Sequence, residues 1–306
     1  MNKPLVSIQI PTYNQKEYIK ETLESALIQT YESIQIIVTD DCSNYDIKEF
    51  LKDYSSISLV EIVVNSKNKG RVLNYHDSLY NQIKGKYFIN LDGDDYFTDT
   101  KFIEYGVSLL ENNSKNKPLL FQGDHNIEKI KLMIPEFELI DEYSILIDGN
   151  EYLKKITDIN EFRHSSTIFE TKKAKSIGFY NFDCLFTDFN SASRLLLEDG
   201  SIIVSSKHVS KWRKHQNNAT FSLGISNYKN ELASINNIIQ AAKNKIDKKA
   251  LNLIKRKLYK KILKGVVLGF DQKKDFKSQF VFFMKYFKFR IFYIRLFIRF
   301  VYKSIT

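Results

Sequence analysis

Acidic residues stop at Asp275, and beyond it Lys277, Lys285, Lys288, Arg290, Arg295, Arg299 and Lys303 accumulate unopposed. The formal net charge of +10 over 306 residues therefore belongs largely to the carboxyl-terminal region. A charge of that size calls for an anionic partner or surface. Cysteine is almost missing: Cys42 and Cys184 are too few for a disulfide framework and lack metal-site spacing. A stapled secreted fold is thereby excluded, and a reducing cytosol is the expected setting. No window approaches the roughly 20 uncharged apolar residues that span a bilayer. Met1-Asn2-Lys3-Pro4 runs directly into a strand-like segment, so no signal peptide is expected. There is no internal repeat, and no linker divides the stretch from about 102 to 223. Hydrophobic residues at 43% supply an ordinary globular core, enough for one large domain with an appendage.

What is present is an alternation of strand-like and helical segments. Leu5-Val6-Ser7-Ile8-Gln9-Ile10 alternates as a strand and is expected to stop at Pro11. Asn14 and Glu17 have capping-box spacing, and Ile19, Leu23, Ala26 and Leu27 mark one face of the helix that follows. A second strand, Ile34-Gln35-Ile36-Ile37-Val38-Thr39, ends at Asp40-Asp41. A polar helix from about 45 to 54, a strand from 59 to 64, a polar loop from 65 to 70 and a helix from about 72 to 83 come next. The strand at Tyr87 completes a pattern that reads as a parallel α/β sheet. After about 227 the chain turns helical and Lys-rich.

The densest chemistry stands in Tyr87-Phe88-Ile89-Asn90-Leu91-Asp92-Gly93-Asp94-Asp95. An apolar strand delivers three carboxylates to one strand end, where they repel unless a cation sits between them. All-oxygen ligands suit hard ions such as Mg²⁺ or Mn²⁺, which take further ligands from substrate phosphates. An acidic turn is the plain alternative. In α/β sheets ligands bind beyond the carboxyl ends of strands. Here Pro11-Thr12-Tyr13-Asn14, Asp40-Asp41 and Asp92 to Asp95 all fall at such ends, more polarity than turns require.

Val6 to Asn14, Ile36 to Ser43, Asn68-Lys69-Gly70-Arg71 and Asp92-Gly93-Asp94-Asp95, in this order and spacing, resemble the family 2 glycosyltransferases of GT-A fold. These are nucleotide-sugar-dependent enzymes found widely in bacterial surface-polysaccharide pathways. The resemblance covers about the first 220 residues and is strong over the first 100. It implies an α/β, mainly parallel mixed sheet with flanking helices over residues 1–225, and a helical region over 226–306. It also implies a UDP-sugar donor. Asp41 would accept from a uracil N–H or a ribose hydroxyl, Tyr13 would stack on the base, and Pro11 and Thr12 would shape its pocket. Arg71 would pair with the diphosphate, although it also reads as a solvated loop residue; Asp40 and Asp41 also read as helix caps. Asp94 would ligate Mn²⁺ or Mg²⁺ directly, with Asp92 nearer the ribose or reached through water, Gly93 between them, and Asp95 orienting both.

An inverting transfer needs a base on the far face of the sugar. The family's Glu-Asp pair maps onto Thr187-Asp188, so the match is imperfect, but Asp188 stands where the base belongs. Asp183 competes for the role, and Asp188 also reads as a helix cap. Lys211-Trp212-Arg213-Lys214-His215 resembles the aromatic-Arg-x-His element that closes such sites. It would bring Arg213 or Lys214 to phosphate and His215 to the metal. His164, before Ser165-Ser166, is a further pocket candidate.

From about 278 to 304 the cations other than Arg290 fall within about an 80° arc of a helix whose remaining surface is aromatic and aliphatic. Such a helix lies in the headgroup layer of an anionic membrane; packing on the catalytic domain is the alternative. Nucleic-acid binding would leave the apolar face unexplained and is not expected. The expectation is a peripheral enzyme on the cytoplasmic face of the membrane, acting on a lipid-linked oligosaccharide. A protein glycosyltransferase is the runner-up, and a non-catalytic anion- or nucleic-acid-binding protein that keeps the fold is the reading from another class.

Overall fold

Val6–Thr12 is buried at every position and forms β1, the strand around which the sheet is built. β1 pairs in parallel with β2 (Ile34–Asp40), β2 with β3 (Val60–Val64), and β1 on its other side with β4 (Tyr87–Asn90). β5 (Tyr96–Phe97) leaves this sheet. β6 (Pro118–Gln122), β7 (Glu138–Leu139), β8 (Ser144–Asp148), β9 (Thr167–Glu170) and β10 (Ser201–Ser205) complete it in the order β3-β2-β1-β4-β9-β6-β10-β8-β7. β9 runs antiparallel between β4 and β6, and β8 antiparallel to β10 and β7; the other strands share one direction. β11 (Ser210–Lys211) pairs with β5 in a separate antiparallel ribbon. The computed structural model describes residues 3–159, 162–216, 218, 225–271, 281, 284–285 and 298.

The two faces of β1 divide their work. Val6, Ile8 and Ile10 enter a fully buried cluster with Ile19, Leu23 and Ala26 of the helix Ile19–Leu27. Each such side chain contributes about 1.5–3 kcal/mol by leaving water. On the other face Ser7 donates to Gln35 Oε1 at 2.6 Å and Gln9 Nε2 to Asn90 Oδ1 at 2.6 Å, so these interior donors are paired across the ladder, while Gln9 Oε1 is buried without a partner among the described residues.

Three local expectations change. β1 runs through Pro11 to Thr12. The Pro11 carbonyl accepts from Gly93 N–H at 3.0 Å, on the side where β4 has already ended, so the missing proline donor breaks no ladder bond. Asn14 does not cap the helix Ile19–Leu27, whose first turn has no side-chain cap. The single helix expected over about 45 to 54 is two short ones, Ile47–Phe50 and Lys52–Ser55, broken at Leu51.

The chain forms two compact units: residues 1–183 with 187–214, and residues 184–186 with 215–306. In the second, the helices Ile225–Ala242 and Lys248–Asp271 contact each other. Ile254, Leu258 and Ile262 are buried at a four-residue spacing, and Tyr259 donates to Asn236 Oδ1 at 2.7 Å. Among the described residues no helix is long and apolar enough to cross a membrane. The amphipathic helix expected over about 278–304 lies outside the described residues apart from 281, 284–285 and 298.

Candidate functional site

The carboxyl ends of β1 and β2 are bound together by their loops. Asn14, at a φ of 54°, donates its N–H to Ser43 Oγ at 2.8 Å and accepts from Asn44 N–H at 2.9 Å. An asparagine tolerates that left-handed backbone, and an amide committed to this bridge is not available to cap a helix. Asp40 accepts from the N–H of Ser43 at 2.9 Å and from its hydroxyl. Neither Asp40 nor Asp41 caps the next helix; Asp46 does, accepting from Glu49 N–H at 3.0 Å.

Asp41 is 3% exposed and gathers the loop after β3. Its Oδ1 accepts from Lys69 N–H at 2.9 Å and Asn65 Nδ2 at 3.0 Å, and its Oδ2 from Gly70 N–H at 2.8 Å. Gly70 presents that N–H from a φ of 88°, a conformation costly for other residues. A carboxylate has roughly four acceptor positions, so Asp41 can take one further donor. Beside it Tyr13 is 48% exposed, and the Thr12 hydroxyl is buried without a partner among the described residues.

At the end of β4 the chain turns tightly, with Asp95 N–H donating to Asp92 O at 2.8 Å. A Cβ on Gly93 would stand 2.9 Å from Thr12 Cβ, so only glycine lets the acidic turn close on the β1 end. Thr22 Oγ1 pins the turn from below through the carbonyls of Gly93 at 3.0 Å and Asp95 at 2.7 Å. Asp94 and Asp95 are buried. Half-buried Asp92 accepts on Oδ1 from Tyr75 OH at 2.7 Å and from Asn90 Nδ2 at 2.8 Å. Burial, followed by repulsion from Asp92 and Asp94, pushes the Asp95 carboxyl up to about 8, against the opposing hydrogen bonds of Arg213 N–H and Ser165. Excess buried negative charge on oxygen donors is the chemistry that a hard divalent cation relieves. Among the described residues no three His, Cys, Asp or Glu side chains form a ready metal cage.

Arg213 embraces this turn. Its N–H donates to Asp95 Oδ1 at 3.0 Å, Nε to Asp94 O at 2.9 Å and Nη2 to Glu21 at 2.7 Å, between the faces of Tyr18 and Tyr96. His215 belongs to the second unit, where its N–H donates to Asn218 Oδ1 at 2.6 Å.

Arg71 opens the helix Arg71–Asn81, half-buried over the ring of Tyr75, with Nη1 3.5 Å from the Tyr75 hydroxyl. Burial opposes its charge, but Tyr75, Asp92 and Asp188 more than offset that, so it stays protonated. Asp188 stands in the first turn of the helix Thr187–Leu195, with Oδ2 3.5 Å from His164 Nε2. Burial favours its neutral form; His164, the N–H of Phe189 and Arg71 outweigh burial and hold the carboxyl below its usual range. Asp183 is exposed in the preceding loop. Thr187, where a Glu was expected, is buried and donates to Phe182 O at 3.0 Å.

Of the sequence-derived candidates, the first unit contains Pro11, Thr12, Tyr13, Asp41, Arg71, Asp92, Gly93, Asp94, Asp188 and Arg213. Tyr75 was missed, although it bridges Arg71 and Asp92; its only signal was a place one helical turn after Arg71. Gln9 and Asn90 were legible as polar residues inside apolar strands, and they face each other in register. Tyr180, at a φ of 62°, had no sequence signal.

The geometry has counterparts in known proteins. A crystal structure of Staphylococcus aureus TarS with UDP-GlcNAc superposes with a TM-score of 0.67 at 16% identity, covering 98% of this chain and 80% of that one. The mannosyltransferase PcManGT of Pyrobaculum calidifontis, solved with GDP-Man and Mn²⁺, gives 0.59 at 11% identity, covering 100% of this chain and 87% of that one. These likenesses establish the GT-A fold. In sequence, the Bacillus subtilis putative teichuronic acid biosynthesis glycosyltransferase TuaG is 33% identical over 32% of this chain and 39% of its own length. The Escherichia coli UDP-Glc:alpha-D-GlcNAc-diphosphoundecaprenol beta-1,3-glucosyltransferase WfaP is 41% identical over 32% of this chain and 38% of its own length. The chain spans less than half the length of the curated relatives it matches. Residues 7–167, more than half of the chain, match the glycosyl transferase family 2 model, and the chain belongs to that family.

Proposed function

We propose that the chain transfers a sugar from a UDP-sugar to a hydroxyl of a lipid-linked saccharide in the assembly of a cell-surface polysaccharide, with inversion at the anomeric carbon. The observation that carries this reading is the pairing of an ionised, half-buried Asp188 with the acidic turn of β4, through Arg71 and Tyr75. Asp188 takes the proton of the acceptor hydroxyl as that oxygen bonds to the anomeric carbon and the nucleoside diphosphate departs. Arg71 faces the diphosphate, Asp41 accepts one N–H or hydroxyl of the nucleoside, and Tyr13 stacks on its base above a floor of Pro11, Thr12 and Gly93. Asp94 and Asp92 are the ligands proposed for Mn²⁺ or Mg²⁺. When bound, that ion neutralises the charge that collects on the departing diphosphate. Arg213 supports the site by bracing the acidic turn.

The UDP and UDP-GlcNAc complexes of TarS support a uridine donor. The diphosphoundecaprenol substrate in the name of WfaP supports a lipid-linked acceptor, which the basic tail would bring to the cytoplasmic face of a membrane. The test is a panel of nucleotide sugars with Mn²⁺, following release of free nucleotide with and without undecaprenyl-diphosphate-linked saccharide. Release from UDP-sugars that accelerates with the lipid-linked acceptor is expected. Acceleration by protein acceptors alone would move the assignment to protein glycosylation.

A further inference from the structure

His164 is buried in the 3₁₀ turn that precedes β9, and the mechanism above gives it no work beyond keeping Asp188 ionised. Its surroundings are specific. The imidazole stacks on Tyr180 with ring centroids 5.5 Å apart, and Tyr75 meets it edge-on at 5.6 Å. Nδ1 lies 3.1 Å from Tyr180 OH, and Nε2 lies 3.5 Å from Asp188 Oδ2. Both tyrosine hydroxyls stay protonated because burial drives their ionisation far up. Tyr75 already donates to Asp92. Tyr180 therefore has its proton to give to Nδ1, which leaves the imidazole hydrogen on Nε2, the nitrogen 3.5 Å from Asp188 Oδ2.

We propose that His164, set in its Nε2–H tautomer by Tyr180 and clamped by Tyr75, is the positioning residue that aims Asp188 at the acceptor hydroxyl. This inference rests on the reading of Asp188 as the base. The physical need is plain: a carboxylate at the start of a helix can rotate about two side-chain bonds, and catalysis needs one oxygen presented to the incoming hydroxyl. A donor on Oδ2 leaves Oδ1 as the basic oxygen. Tyr75, in contact with both His164 and Asp92, ties this orientation to the acidic turn of β4, so the base and the donor end share one rigid frame.

The test is a double-mutant cycle on hydrolysis of UDP-GlcNAc and UDP-glucose in Mn²⁺, where water needs the same base, joined to ¹⁵N spectra of the imidazoles. His164→Asn and Tyr180→Phe are each expected to lower kcat about tenfold or more, with the KM for UDP-sugar changed less than about threefold. In the Asp188→Asn background neither substitution should lower kcat further, since a residue that acts through Asp188 has nothing left to position. Losses that multiply in the double variants, or a fully active folded His164→Asn, would overturn the proposal and leave the base standing. Full activity of Asp188→Asn would remove the base assignment, and this proposal with it. Tyr180→Phe removes one hydroxyl and keeps the ring, so the test survives if His164→Asn does not fold. The wild-type His164 signal should show a protonated Nε2, and an Nδ1–H tautomer would refute the mechanism without any kinetics.

Discussion

Three carboxylates crowd the end of β4, and Asp95 carries the consequence. Its folded value of about 8 lies above the ordinary 3.8, so between those limits the native state binds a proton that the unfolded chain has released. Without a cation, stability from this group is full at low pH and is lost as pH rises through about 8. A divalent ion at the proposed site would compete with that proton and reverse the trend. Thermal unfolding should show a larger Mn²⁺-induced rise in Tm at pH 8.5 than at pH 6, and Asp94→Asn should abolish the rise. An equal rise at both pH values would refute the carboxylate assignment. Asp188 behaves oppositely: its value is depressed, so it is ionised throughout the neutral range and any acid limb near pH 6 has another source. Asp188→Asn should cost roughly 10²-fold or more in kcat, while exposed Asp183→Asn should stay near normal. The reverse result would exchange their roles. The sequence alone left these two aspartates open, because both sit near a helix start. Their surroundings differ: Asp188 is half-buried beside His164, and Asp183 is exposed.

At the scale of the element, the site depends on two glycines used for different reasons. Gly93 is a packing requirement, since a Cβ there would meet the Thr12 side chain on β1 at 2.9 Å. Gly70 is a backbone requirement: its φ is 88°, and no atom lies within 4 Å of where a Cβ would stand, so crowding is not the reason. Gly93→Ala is therefore expected to destabilise by about 1–3 kcal/mol and to separate the β1 and β4 ends. Gly70→Ala should cost about 1–2 kcal/mol through backbone strain alone. Chemical denaturation gives both values, and UDP affinity measured alongside should fall more for Gly93→Ala. Equal, small effects on both would show that the acidic turn tolerates displacement. Asn14 teaches the same lesson from the other direction. Its spacing to Glu17 is that of a cap, but a contact with the β2 loop claims its side chain, and local spacing contains no information about that loop.

For the whole molecule, charge and catalysis separate along the chain. The family match ends at residue 167 and the acidic residues end at Asp275, so the cationic tail lies well beyond the matched segment. Each cation near an anionic surface contributes about 1 kcal/mol, and the aromatic face expected from the sequence would add a hydrophobic term. Removing residues from about 278 onward should preserve UDP-sugar binding and abolish flotation with anionic vesicles. Binding of the full chain should weaken in high salt. A truncated protein that aggregates, or a full chain that binds neutral and anionic vesicles alike, would favour a packed helix over a membrane contact.

The succession of strands through β4, the acidic turn after it, and the polar residues Thr12, Tyr13 and Asp41 at strand ends and Arg71 after Gly70 were legible from sequence. Hydrophobic period and strand-end polarity are local, and they act within about ten residues of the groups they place. The insertion of β9 between β4 and β6 was not legible, nor was the meeting of Tyr75, His164, Tyr180 and Asp188. Those contacts join segments as far apart as Tyr75 and Asp188, and only the closing of the sheet brings them within hydrogen-bond and ring-contact distance. The sequence by itself determined which chemical groups stand at the strand ends; the tertiary structure decided which side chains surround each carboxylate, because those neighbours are not adjacent in chain order.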